Sequence, residues 1–157
     1  MLMNESSDHS KRFVKPTRAD RIFNGAVHWL ARRGVSLFGT REIRVVGRSS
    51  GEVRSAVINI LEVDGDRYLV APRGQAHWVR NLRAAGGAGE LRIGRKVEPF
   101  QAEELADADK PPVIHAYLDR FGWEVGRFFD DLSKRSSEDE ILAVAPGFPV
   151  FKLALGR

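Results

Sequence analysis

The chain contains no cysteine. That removes disulfide staples, thiolate nucleophiles, zinc–thiolate sites and iron–sulfur clusters together, and it suits a reducing cytoplasm. No apolar run approaches the roughly 18 residues that a membrane-spanning helix needs. The first ten residues, Met1 to Ser10, are polar and carry acids, without the basic start and apolar stretch of a signal peptide. Residues 1–15 read as a disordered tail. The Gly-Lys-Ser/Thr of a P-loop is missing, and so is Gly-x-Gly-x-x-Gly, which argues against both common nucleotide loops. The four histidines, His9, His28, His77 and His115, show no metal-ligand spacing, so no metal is expected. No Ser–His–Asp grouping speaks for hydrolysis, and no repeat or low-complexity tract divides the chain.

What is present suits one domain over residues 16–157. Hydrophobic residues make up 43% and charged residues 29%, an ordinary globular balance that can bury a core. A formal charge of +4 and a pI near 9.8 point to anionic partners: nucleic acid, anionic lipid, or a small molecule with phosphates or carboxylates.

Ile22, Phe23, Ala26, Val27 and Leu30 form one apolar stripe, predicting a helix over about Asp20 to Arg33. With Trp29 and its basic flanks, this helix packs on the domain or a partner subunit, or rests on an anionic membrane surface. Strand character takes over after Gly39, over Arg41–Val46 and the Val/Ile-rich run Val53–Val63. Asp64-Gly65 marks a hairpin into Arg67–Ala71. A short helix over Ala76–Ala84 should stop at Gly86-Gly87. Strands over Glu90–Arg95 and Lys96–Glu104, a helical stretch over Ala108–Asp131 and a last strand over Phe148–Leu155 complete an α+β pattern. Strands this short hide their edges most easily by curling into a barrel.

Two clusters carry chemistry. In Gly47-Arg48-Ser49-Ser50-Gly51, with Arg54 behind, the glycines allow backbone N–H groups to converge on an anion. The serines add hydroxyl donors, and the arginines add planar forks. The same residues also suit a polar hairpin turn with solvated arginines. The second cluster, Arg73-Gly74-Gln75-Ala76-His77-Trp78-Val79-Arg80-Asn81-Leu82, leaves a strand and enters a helix, where an anion is favoured. Trp78 and Leu82, four apart, can both face the core. Asp130, Asp131, Glu138, Asp139 and Glu140 read as solvated acids flanking helices. Tyr117, Phe121, Trp123, Phe128 and Phe129 read as core packing, or as a lid over an apolar substrate.

Together, Gly-Arg-x-Ser-Gly-x-x-Arg, a hairpin, and Arg-Gly-x-x-x-Trp-x-x-Asn-Leu resemble the deazaflavin (F420)-dependent nitroreductase family of flavin–deazaflavin oxidoreductases. The resemblance runs from about Arg41 to the C-terminus, where Ala145-Pro146-Gly147-Phe148-Pro149-Val150-Phe151 matches the closing segment. It implies a split β-barrel of the pyridoxamine-oxidase-like, FMN-binding-like kind with peripheral helices. It also implies coenzyme F420, an 8-hydroxy-5-deazaflavin with a phosphodiester and a γ-glutamyl tail. By this resemblance Arg48, Ser49, Ser50, Arg54 and Arg73 serve the anionic tail, and Gly51 and Gly74 belong to the cofactor-binding set. Trp78 and Asn81 lie near the cofactor, with Val57, Asn59 and Pro72 close to its ring. Tyr117 is the candidate catalytic proton donor. The implied reaction is hydride transfer from reduced F420 to an apolar electrophile, such as a quinone, an enone or a nitroaromatic, by a cytoplasmic enzyme that is a homodimer.

Two positions depart from the family pattern: Ser49 where a second basic residue is common, and Val57 where proline is common. The related flavin enzymes make FMN, or haem without turnover, the alternative occupant. A nucleic-acid-binding module is the third reading, although the arginines sit in glycine-containing loops and no basic–aromatic strand of the RNA-binding type is evident.

Overall fold

A computed structural model describes residues 11–15, 40–93, 95–125, 132–133 and 135–155. The helix expected over 20–33 lies outside the described residues. Six strands form a closed antiparallel barrel: β1 (Thr40–Val46), β2 (Val53–Val63), β3 (Asp66–Val70), β4 (Ala88–Ile93), β5 (Lys96–Glu104) and β6 (Val150–Leu155). Around the barrel the order is β1-β2-β3-β6-β5-β4, with β4 returning to β1.

The two long strands make closure possible. β2 pairs with β1 from Val53 to Asn59 and with β3 from Ile60 to Val63. β5 likewise serves β4 first and then β6. Each therefore bends from one half of the barrel into the other. The middle of β2 is buried on both faces, because Ile58 joins the core inside the barrel while Leu61 joins a second core outside it. This accounts for its run of Val and Ile on both pleats. Asp64 and Gly65, at φ 51° and 84°, make the tight hairpin between β2 and β3.

Helix α1 (His77–Ala84) caps the inner core with Val79 and Leu82. Helix α2 (Pro111–Val125) lays Val113, Ile114, Tyr117, Leu118 and Phe121 on the outer face of the sheet. Lys110, 3% exposed, ties the start of α2 to the turn before β6, with its Nζ 2.6 Å from Asp107 Oδ1 and 3.0 Å from the Ala145 carbonyl. A further helix, α3 (Glu138–Val144), was not expected: Glu138, Asp139 and Glu140 form its first turn rather than flanking a helix. Ser137 and Glu140 close a capping box, each side chain bonding the other's backbone N–H at 3.1 Å. The Ser137 backbone bond holds the Glu140 carboxyl below its ordinary pKa.

The expected tail divides. Residues 1–10 lie outside the described residues, but Lys11–Lys15 form an ordered strap across the turn after β3. The Gln75 N–H donates to the Arg12 carbonyl at 2.7 Å, and the Val14 N–H to the Arg73 carbonyl at 2.8 Å. The Arg12 guanidinium donates to the Pro72 carbonyl at 2.6 Å and lies 4.3 Å from the centre of the Phe148 ring. No helix among the described residues is long and apolar enough to cross a membrane.

Candidate functional site: a basic groove at the end of the barrel

The loop between β1 and β2, the start of α1 and the strap enclose a groove of about 1070 Å³. Its apolar wall includes Val45, Ala56, Val57, Ala76 and Trp78; its cations are Lys15, Arg48, Arg54 and Arg73. Trp78 is half-buried and packs against the inner core, its ring centre 6.0 Å from that of Phe151.

The loop is pinned to α1 by one side chain. Asn81 is 5% exposed, and its Oδ1 accepts from the Arg48 backbone N–H at 3.2 Å and from Arg48 Nη1 at 2.7 Å. Inside the loop, the Gly47 N–H donates to the Glu52 carbonyl at 2.7 Å and the Gly51 N–H to the Gly47 carbonyl at 3.0 Å. The Glu52 N–H donates to Ser50 Oγ at 3.2 Å. Four of the six amides from Gly47 to Glu52 are thus engaged within the protein. Most of the loop's backbone N–H groups are thus turned to the protein itself, while the Arg48 guanidinium is held in place by Asn81. Arg54, at the start of β2, is freer than Arg48, its side chain 60% exposed and 3.7 Å from the Glu52 carboxylate.

The turn into α1 is braced from behind. Arg83 makes two bonds to the Glu104 carboxylate, at 2.8 and 2.6 Å, and a third to Gln75 Oε1. The Glu104 hydrogen bond raises the Arg83 pKa above its ordinary value. Gln75 carries the backbone N–H that meets the strap, so this ion pair steadies the turn that holds Arg73.

Among the expected cofactor residues, Arg48, Ser49, Ser50, Arg54, Val57, Arg73, Trp78 and Asn81 all line the groove. Gly51, at φ 72°, closes the loop away from it. Pro72 and Gly74 lie beneath the strap, and Asn59 is buried in β2 opposite Thr40. Tyr117 is 1% exposed within the outer core, its ring 5.2 Å from that of Phe121, and does not line the groove. Tyr117→Phe is therefore expected to leave the rate of acceptor reduction within about twofold of the parent, while costing about 1 kcal/mol of stability. Steady-state rates and urea unfolding would check both.

Phe13, Lys15 and His77 line the groove without having been singled out for it. His77 was legible, because it stands four residues before Asn81 and so shares its helix face. Phe13 and Lys15 lay in what read as a tail.

A family model described as F420H(2)-dependent quinone reductase matches residues 28–119. No curated protein matches the chain. A solved structure described as a domain-swapped dimer is 17% identical, with 88% of this chain and 100% of that one covered at a TM-score of 0.54. A protein of unknown function from Agrobacterium tumefaciens is 16% identical, covering 84% of this chain and 56% of its own, at a TM-score of 0.50. A structure described as an F420-H2 dependent reductase is 21% identical over 74% of this chain and 94% of its own, at a TM-score of 0.49. At these identities the first two likenesses bear on the fold alone.

Proposed function

The chain belongs to the F420H(2)-dependent quinone reductase family, and from that premise we propose that the groove between loop, strap and α1 is where it binds F420 and reduces an apolar acceptor. It is an F420-dependent oxidoreductase. The observation that carries the assignment of the site is the meeting of four cations and an apolar wall in one groove. A tricyclic ring suits the wall, and a phosphodiester with carboxylates suits the cations. When bound in its reduced form, F420 supplies a hydride.

The residues do the rest by placement and charge. Arg48, Arg54, Arg73 and Lys15 neutralise the tail. Val45, Ala56, Val57 and Trp78 cover the ring and the acceptor, and exclude water from the reacting faces. The two departures from the family pattern have local answers. Lys15 brings to the same groove a cation that Ser49 does not supply. Val57 keeps β2 in regular register opposite Glu42. The acceptor we favour is a quinone, with enones and nitroaromatics as further electrophiles of the same shape and polarity. A homodimer is the assembly we favour, with the relative described as a domain-swapped dimer in support.

Titrating the protein against oxidised F420 while following the cofactor's fluorescence tests this reading. Arg54→Ala is expected to weaken binding about tenfold by removing a charge-assisted contact, with little change in stability because Arg54 is exposed. No binding by the parent at tens of micromolar cofactor would overturn it.

A further inference from the structure

His77 is the first residue of α1, exposed and facing the groove between two neighbours. Phe13 of the strap packs edge-on against its ring, with centroids 6.0 Å apart and an interplanar angle of 78°. Arg48 Nη2 stands 3.5 Å from His77 Nδ1. A guanidinium carries donors only and keeps its protons, so Nδ1 is the acceptor of this pair. A neutral imidazole that accepts at Nδ1 carries its hydrogen on Nε2. Arg48 cannot easily turn away, because its Nη1 and its backbone N–H both bind Asn81 Oδ1. The row Asn81–Arg48–His77 favours the tautomer that has Nε2–H as the ring's donor. That donor shares its groove with Lys15, Arg48, Arg54 and Arg73, and in such a field an anionic oxygen is the favoured partner.

From this geometry we infer that His77 is a further cofactor-binding residue, whose Nε2–H bonds an anionic oxygen of the phosphate-bearing tail. The inference rests on the groove being the F420 site. The role is binding rather than proton relay, since a ring whose Nδ1 faces a group unable to give or take a proton cannot pass one across itself.

Two variants and two ligands test it on the full chain. His77→Phe keeps a ring against Phe13 and removes both nitrogens; His77→Gln restores an N–H donor near the position of Nε2. The ligands are oxidised F420 and the 8-hydroxy-5-deazaflavin riboside that lacks the phosphate and glutamates. His77→Phe is expected to weaken F420 binding about tenfold, His77→Gln to recover most of the loss, and the riboside to bind all three proteins alike. In turnover, KM for reduced F420 should rise while KM for the acceptor holds. Because His77 is exposed, the variants should unfold at the parent's temperature. Unchanged F420 affinity in His77→Phe overturns the inference, and so does an equal loss for F420 and the riboside. Failure of the parent itself to bind F420 overturns the functional reading and this inference with it. The two failures are distinguishable, because only the first leaves the parent's affinity intact.

Discussion

Asn81→Leu is expected to weaken F420 binding about a hundredfold and to lower stability by about 2 kcal/mol. Leucine nearly matches the volume of asparagine, so no large cavity opens. What disappears is the acceptor for the Arg48 backbone N–H and for Arg48 Nη1. An unpaired amide against a buried leucine costs more than a solvated one, and the loop relieves that cost by lifting from α1. Arg48 then leaves the groove, and His77 loses its fixed partner. Asn81→Asp separates the two effects. The carboxylate still accepts both bonds and holds the loop, but it cancels the charge of Arg48 where the tail binds. Stability should therefore survive in Asn81→Asp while affinity falls. Urea unfolding paired with F420 titration reads both quantities, and undiminished affinity in Asn81→Leu would show that the loop is not a wall of the binding site.

How far the sequence revealed this site follows from the range of the forces involved. The run Val53–Val63 and the Asp64-Gly65 turn are local signals, and the strand and hairpin lie where periodicity and turn chemistry put them. The groove residues of the two clusters were legible for the same reason: the first cluster is a short loop between strands, and the second a turn running into the first turns of α1. The bond that fixes the first cluster was not, because Arg48 and Asn81 are 33 residues apart. Gly47 and Gly51 permit an anion-binding turn of backbone amides, but a distant asparagine, the loop's own carbonyls and the Ser50 hydroxyl take up most of those amides first. Lys11–Lys15 shows the same limit more sharply. Five residues beside a polar stretch have no period to read, and their partners Pro72 and Gly147 lie 60 and 135 residues away. One local signal went unused: Ser137-x-x-Glu140 is a capping box that announces α3. Val113, Ile114, Tyr117, Leu118 and Phe121 recur at helical spacing, in keeping with the core packing that the sequence suggests for Tyr117 and Phe121.

Gly74→Ala is expected to be the most damaging small substitution on the strap side of the groove. Gly74 has φ 84°, and holding alanine there costs about 1–3 kcal/mol. A methyl group at this position would also overlap the Arg12 carbonyl oxygen, with the Gly147 carbonyl oxygen 3.3 Å away. These neighbours are backbone atoms, with no flexible side chain to yield, so the strap must move. Its departure breaks the Phe13–Gly74 bridge and the bonds from Gln75 to Arg12 and from Val14 to Arg73. Phe13 and Lys15 then leave the groove, and Arg73 Nη1 loses the Val14 carbonyl it meets at 3.2 Å. F420 affinity should fall by more than about tenfold, since one cation is lost and another is released from its fixed position. A protein lacking residues 1–15 provides the comparison. It should show the same loss of affinity without the backbone strain, and adding Gly74→Ala to it should lower stability without weakening F420 binding further. Such non-additivity is what coupling through the strap requires. Fully additive losses of affinity would mean that Gly74 shapes the groove through the turn alone, independently of the strap.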